Sequence, residues 1–278
     1  MKRKTIVNEI GYEGIGLHKG QQIKIKLKPY DGGNIVFKRM DMEDGKNEII
    51  LDISNTFDLT RGTNLQNEHG AQIYTIEHFL SSLYACGITD LMVEIDGNEL
   101  PIGDGSAKVF LEIFEKTQIK ELDKEIDPLV IEKPIFLRKD DKAIIALPND
   151  DYRITYAIKF EHTYLKSQLS DFVVTYDTYR KEIGSARTFG FDFEVEYLKK
   201  NNLALGGSLE NAIVIKNDGV LNPEGLRYED EFVRHKMLDI IGDLKILNRP
   251  IIGHIIAIKA GHALDIEFAK MLNCLSIK

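Results

Sequence analysis

The stretch DEFVRHKMLDIIGD, residues 230–243, decides how the chain is read. Wound as a helix at about 100° per residue, it puts Val233, Met237, Ile240, Ile241 and Leu244 on one side. That is an ordinary apolar stripe facing a core. His235, Asp239 and Asp243 fall on the other side, each one turn beyond the last, with Lys236 close by. The stripe explains the packing of this helix. The polar strip needs its own explanation, either as a solvated surface or as a site.

Working outward, the helix is followed by a strand, IIGHIIAI (251–258), and a second helix, HALDIEFAKML (262–272). It is preceded by strands IFLRK (135–139), KAIIALP (142–148) and YRITYAIKF (152–160), and by a short helix, FDFEVEYLKK (191–200). The first part of the chain has the same order. QIKIKLKP (22–29) alternates strictly, with Ile23, Ile25 and Leu27 on one face, and strands NIVFKRM (34–40) and EIILDI (48–53) follow. TIEHFLSSLYACG (75–87) reads as a helix buried through Ile76, Leu80 and Leu83, with Gly87 as C-cap. Strand LMVEI (91–95) and helix GSAKVFLEIFEK (105–116) complete it. The polar, proline-ended KTQIKELDKEIDP (116–128) reads as a linker, which divides the chain into 1–122 and 123–278. His78 stands 27 residues before Gly105, and His235 stands 27 before His262. The expectation is an α+β fold of two similar modules facing each other, with the polar strip in the cleft between them.

Composition narrows the function. The chain has 278 residues, 43% of them hydrophobic, and a net charge of −8. This acidic balance argues against a general nucleic-acid partner. Two cysteines, Cys86 and Cys274, are too few for a disulfide framework. No apolar run is long enough for a transmembrane helix, and no secretory h-region follows the N-terminal lysines and arginine. A cytoplasmic, globular protein is expected.

His235 and Asp239, one turn apart, can meet one ion, and a catalytic zinc takes three protein ligands. His78 is the best third ligand, with Glu77 beside it as a base for metal-bound water. The HExxH pattern is absent, and HxxxD spacing is also that of a solvated face or a hydrogen-bonded pair. Spacing leaves these readings open. His262 begins a helix after Gly261, where it can act as an acid or steady negative charge, and Asp243 can orient it. His254 reads as structural, His69 as a surface residue and His18 as part of a loop. GIGLHKG (14–20) lacks the spacing and the following helix of a phosphate loop, so its glycines are assigned to turns.

IGLHKG, TIEHFLSSLYACGITD, GNELPIGDGSA, SARTFGF, GGSLENAIV, LNPEGLRYEDEFVRHKMLDIIGDL and GHAL occur in this order over nearly the whole chain. Together they resemble the UDP-3-O-acyl-N-acetylglucosamine deacetylase (LpxC) family, the zinc amidases of lipid A biosynthesis. The resemblance implies two α+β domains with helices sandwiched between the sheets and a small insert in each. It implies Zn2+ held by His78, His235 and Asp239, with Glu77 as general base and His262 as the cation held by Asp243. Thr188 would donate to the oxyanion and Lys236 would meet the polar part of a UDP-linked, acylated glucosamine. Phe189 would pack on the sugar and Phe160 on uracil, and residues around 192–216 would form an apolar passage for the acyl chain. A monomer with at most transient membrane-surface contact is expected. The alternatives are a zinc deacetylase of another N-acetyl sugar and a non-catalytic nucleotide-sugar binding protein.

One departure carries a prediction. Some members of that family have a cysteine in the loop before the TxEH helix, where a second, inhibitory zinc finds a ligand; RGTNLQN has Asn64 there. Inhibition by excess zinc is therefore expected to be weak. Complete loss of activity at low micromolar excess zinc, in a zinc titration of the assay, contradicts this.

Overall fold

The computed structural model describes residues 1–275. The alternation at 22–28 becomes a strand that buries Ile23, Ile25 and Leu27 and turns Lys24 and Lys26 to solvent. It lies second in a five-stranded sheet whose spatial order is 10–15, 22–28, 91–95, 35–39 and 48–50. Strand 35–39 runs parallel to 91–95, with Ile35 opposite Leu91. Parallel neighbours need a long crossover. Here the crossover carries helix α1 (Glu77–Ala85) and a small three-stranded sheet of 56–57, 64–66 and 72–73. Helix α2 (Lys108–Lys116) closes this first half.

The second sheet repeats this order as 135–139, 142–147, 251–258, 152–159 and 167–173, with Leu129–Val130 added beside 251–252. Strand 152–159 is again parallel to 251–258, Ile154 opposite Ile255. Its crossover again carries a small three-stranded sheet, of 189–191, 213–216 and 219–220. The same crossover holds the single turn α3 (Tyr176–Thr178), helix α4 (Asp192–Lys200) and helix α5 (Glu231–Leu244). Helix α6 (His262–Leu275) closes the second half. The duplication read from the order of elements is thus present in the strand topology, and each small sheet is an insert at an equivalent place.

The helices lie between the two sheets. Phe79 of α1 meets Phe37 of the first sheet at 6.2 Å between ring centres and Phe110 of α2 at 5.2 Å. On the other side, α5 packs on strand 152–159 and α6 on 142–147. Helices α1 and α5 pack on each other, and Ser81 Oγ donates to the Leu238 carbonyl at 2.8 Å.

Two sequence readings change. Helix α5 is buried on both sides, and only Arg234 and Lys236 keep appreciable exposure. Its apolar stripe faces the sheet, while its polar strip faces α1 rather than water. The segment read as a linker contains a strand, Ile119–Glu125, paired antiparallel with Lys2–Ile6. Backbone hydrogen bonds hold this ribbon, and its side chains stay largely in water. Without a buried face there is no apolar alternation to reveal it.

Gly242 permits the α1–α5 contact. A Cβ there would stand 2.0 Å from the Glu77 carbonyl oxygen, so any side chain must push the helices apart. Gly242→Ala is expected to destabilise the protein, about 2–3 kcal/mol of overpacking outweighing about 1 kcal/mol of improved helix propensity. Urea unfolding checks this; an unchanged midpoint contradicts it.

Candidate metal and catalytic site

The first turn of α1 and the middle of α5 build the centre. Thr75, a β-branched residue, has φ of +58°, a costly conformation that turns the chain into α1. It is held there by Asn64, whose Oδ1 accepts the Thr75 N–H at 3.0 Å, and by its own Oγ1, which donates to Glu99 at 3.2 Å. The residues that follow, Glu77 and His78, then point at α5. His78 Nε2 lies 3.6 Å from Asp239 Oδ1, and His235 Nε2 lies 3.4 Å from the same oxygen. All three side chains are buried, and their ligand atoms lie within 4.8 Å of one another. They are the one such group among the described residues.

This trio fits a metal ion. Two ligands at about 2.0–2.1 Å from a tetrahedral ion stand roughly 3.3 Å apart, close to the observed separations. Asp239 Oδ1 and His78 Nδ1 are buried without a hydrogen-bond partner in the protein. His235 Nδ1 is 3.0 Å from the Ala186 carbonyl, which can only accept, so the proton sits on Nδ1 and Nε2 keeps its lone pair. Burial pushes the His235 imidazole down to about 3, so it is neutral at ordinary pH, as a metal ligand must be. Burial would raise the Asp239 carboxyl, but His235 and Lys236 hold it well below the usual range.

The loop that delivers Ala186 and Thr188 is anchored by a buried ion pair. Arg187, 1% exposed, donates through Nε to Glu231 Oε1 at 2.9 Å, and its backbone N–H reaches the same oxygen at 3.0 Å. The other Glu231 oxygen accepts the Arg227 N–H at 2.6 Å. Such a pair contributes little net stability after desolvation; here it locks a loop to the start of α5.

Around the trio, Thr63 joins two carboxylates. Its backbone N–H donates to Glu77 Oε2 at 2.9 Å, and its hydroxyl donates to Asp243 Oδ1. Burial raises the Glu77 carboxyl, with His262 and His78 opposing, which suits a proton acceptor. His262, the first residue of α6, places Nδ1 2.9 Å from Asp243 Oδ2. Burial alone would lower its imidazole, but Asp243 pushes it up to about 10, so His262 carries a proton at neutral pH. Lys236 donates to Asp239 Oδ2 at 2.7 Å. It thus holds Asp239 as well as lining the cavity.

A cavity of about 640 Å³ opens onto this centre and is lined by Glu77, His78, Thr188, Phe189, His235, Lys236, Asp239 and His262. Its far wall comes from the second insert, with Val195, Leu198, Ala204, Leu209, Ile213 and Val214. Asp192, Glu194, Glu196 and Lys199 of the insert line it as well, so the wall where an apolar passage is expected is of mixed character. Phe160 does not line it; its ring stands 6.0 Å from Phe189, on the edge of an aromatic cluster with Phe191.

Sequence reading missed several participants. Thr63, the Ala186 carbonyl and the Arg187–Glu231 pair act through loops, where no periodicity points to them. His18, read as a loop residue, lines the cavity, and so does Arg61. GIGLHKG does form an anion-binding turn, but its anion is the chain's own. Glu99 accepts the His18 and Lys19 N–H groups at 2.7 and 2.8 Å, which seats the loop against the second insert at Leu205 and Gly206.

A family model described as UDP-3-O-acyl N-acetylglycosamine deacetylase matches residues 3–273. Proteins named UDP-3-O-acyl-N-acetylglucosamine deacetylase are similar over almost the full chain. The one from Syntrophotalea carbinolica is 42% identical, covering 97% of this chain and 87% of its own. That of Leptospira biflexa is 40% identical, covering 97% and 89%. That of Idiomarina loihiensis is 38% identical, covering 98% and 90%. With a buried His/His/Asp trio, a flanking glutamate and a charged histidine in place, and with a match of this extent, the chain belongs to the UDP-3-O-acyl-N-acetylglucosamine deacetylase family.

Proposed function

We propose that the chain removes the N-acetyl group of UDP-3-O-(3-hydroxyacyl)-N-acetylglucosamine by zinc-dependent hydrolysis, releasing acetate in the committed step of lipid A biosynthesis. The observation that carries this reading is the convergence of three buried, mixed nitrogen and oxygen ligands with Glu77 and His262 at the floor of one cavity. A structural zinc site is usually closed and rich in cysteine. This trio contains none and faces open space.

His78, His235 and Asp239 would hold the metal. Zinc bound by three such ligands keeps an open position, polarises a carbonyl and lowers the pKa of water towards ~7. Glu77, raised by burial and steadied by the Thr63 N–H, takes the proton from the attacking water. Attack on the acetamide carbon moves its π electrons onto the carbonyl oxygen. Thr188, on the cavity wall, donates to that oxyanion, and protonated His262 faces it. The C–N bond then breaks as the sugar nitrogen receives a proton from His262, or from Glu77 once it holds one. Lys236 adds positive charge for the diphosphate while it fixes Asp239. Phe189 offers a ring to the sugar, Phe160, beside it but outside the cavity lining, stacks on uracil, and the insert groove takes the acyl chain.

No helix among the described residues is long and apolar enough to cross a membrane. We take the enzyme to act in the cytoplasm as a monomer that meets its acylated substrate transiently at a membrane surface. Both cysteines are free thiols, which suits a reducing compartment.

The test is acetate release from the acylated substrate and from UDP-N-acetylglucosamine, before and after chelation and zinc restoration. Release from the acylated substrate alone, lost on chelation and regained with zinc, is the expected outcome. No release from folded, zinc-loaded protein overturns the reading. Glu77→Ala and His262→Ala are expected to fold normally and lose on the order of 10²–10⁴ in kcat. Asp239→Ala should lose bound metal as well, measured by elemental analysis. Near-normal turnover in any of the three removes that residue from its role.

A further inference from the structure

Asp265 sits in the first turn of α6, one turn after His262. Its side chain is completely buried, and neither carboxyl oxygen accepts a hydrogen bond from any group of the protein. An ionised carboxylate in such a place is costly unless donors surround it. The hydrogen-bonding neighbour that Asp265 does have is another carboxyl, that of Asp243, also completely buried. Two buried carboxyls in contact cannot both ionise; they share a proton. Asp243 is the acceptor of the two, because both its oxygens already accept, Oδ1 from Thr63 and Oδ2 from His262. Asp265 is therefore the carboxyl of the pair left free to donate.

We propose that Asp265 is a positioning residue: a buried carboxylic acid that donates a hydrogen bond to Asp243, fixing this carboxylate against His262 and limiting its pull on the His262 proton. Asp243 then receives three donors from two elements, the insert loop (Thr63) and α6 (His262, Asp265). The groups acting on Asp265 agree with a neutral acid. Burial and Asp243 both raise its carboxyl well above the usual range, with His262 and Lys236 opposing. Tyr152 and Tyr156, whose hydroxyls are buried and unpartnered, respond to Asp265 from strand 152–159 but bring it no compensating cation. Asp239 and Glu77 add further negative charge around His262.

The catalytic consequence rests on the function proposed above. Asp243 alone would hold the His262 proton too tightly for it to serve as an acid. A donated hydrogen bond spreads the charge of Asp243 and leaves that proton easier to transfer.

The test uses the zinc-loaded enzyme with Asp265→Asn and Asp265→Ala, and reads two quantities: an NMR titration of the His262 imidazole, and kcat with KM. Asparagine is neutral and its amide can donate to Asp243, so it should keep the His262 midpoint within ~0.3 units of wild type, far less than the unit or more expected for loss of a neighbouring charge. Alanine removes the donor: the midpoint should rise and kcat should fall about 10- to 100-fold with KM nearly unchanged, as for other groups that orient a catalytic residue. Asparagine should rescue most of that loss. A His262 midpoint that drops by a unit or more in Asp265→Asn shows an anionic Asp265 and overturns the proposal. So does wild-type behaviour of Asp265→Ala. If Asp265→Ala does not fold, the midpoint in the isosteric Asp265→Asn decides alone. Because that midpoint is read without turnover, a failure of the deacetylase reading leaves it intact and is recognised separately by the absence of acetate release in wild type.

Discussion

The close crossing of α1 and α5 is the constraint on which the centre depends. Gly242 lets the α5 backbone come against the Glu77 carbonyl. At that distance, the polar strip of α5 meets the start of α1 and not solvent. His78 joins His235 and Asp239, and Glu77 and Asp243 are near enough for one residue, Thr63, to hold both. With the helices a few ångströms further apart, the same side chains would be a wet surface with no common ligand position.

Such a contact concentrates charge where water is excluded. Glu77, Asp239, Asp243 and Asp265 are all buried within a few turns of one another. Each is accommodated differently. Asp239 is flanked by Lys236, Asp243 by His262 and Thr63, and Glu77 by a backbone N–H. Asp265 gives up its charge. This arrangement is expensive in isolation, and it persists because two sheets with well-filled apolar faces enclose it. The duplicated topology supplies those sheets on both sides, so the polar centre lies between two cores and replaces neither.

The inserts divide the remaining work. The first places Asn64 and Thr63 at the entrance to α1, where they stabilise the left-handed Thr75 and hold Glu77 and Asp243. The second, tied back through Arg187 and Glu231, fixes the carbonyl that sets the His235 tautomer and then forms the groove wall. Both interrupt a parallel crossover, the one connection in each half long enough to carry extra structure without disturbing the sheet.

Much of this was legible in the residues. Strict alternation at 22–28, the apolar stripe of α5 and the matched order of strands and helices reported the elements and their repetition, because each depends on local periodicity. The HxxxD spacing reported that two side chains share a helix face, since 3.6 residues per turn makes it so. What faces that strip is a non-local matter, and tertiary structure alone decided it: α1 covers it, at a glycine that no periodicity singles out. The strand at 119–125 was hidden because its pairing is backbone-to-backbone and leaves no apolar face. Thr63, Ala186 and the buried neutrality of Asp265 were hidden because hydrogen-bond partners and burial are set by chain segments far apart in sequence. Local order was written in the pattern of side chains; the chemistry came from the low-dielectric contact between two helices that only the folded chain brings together.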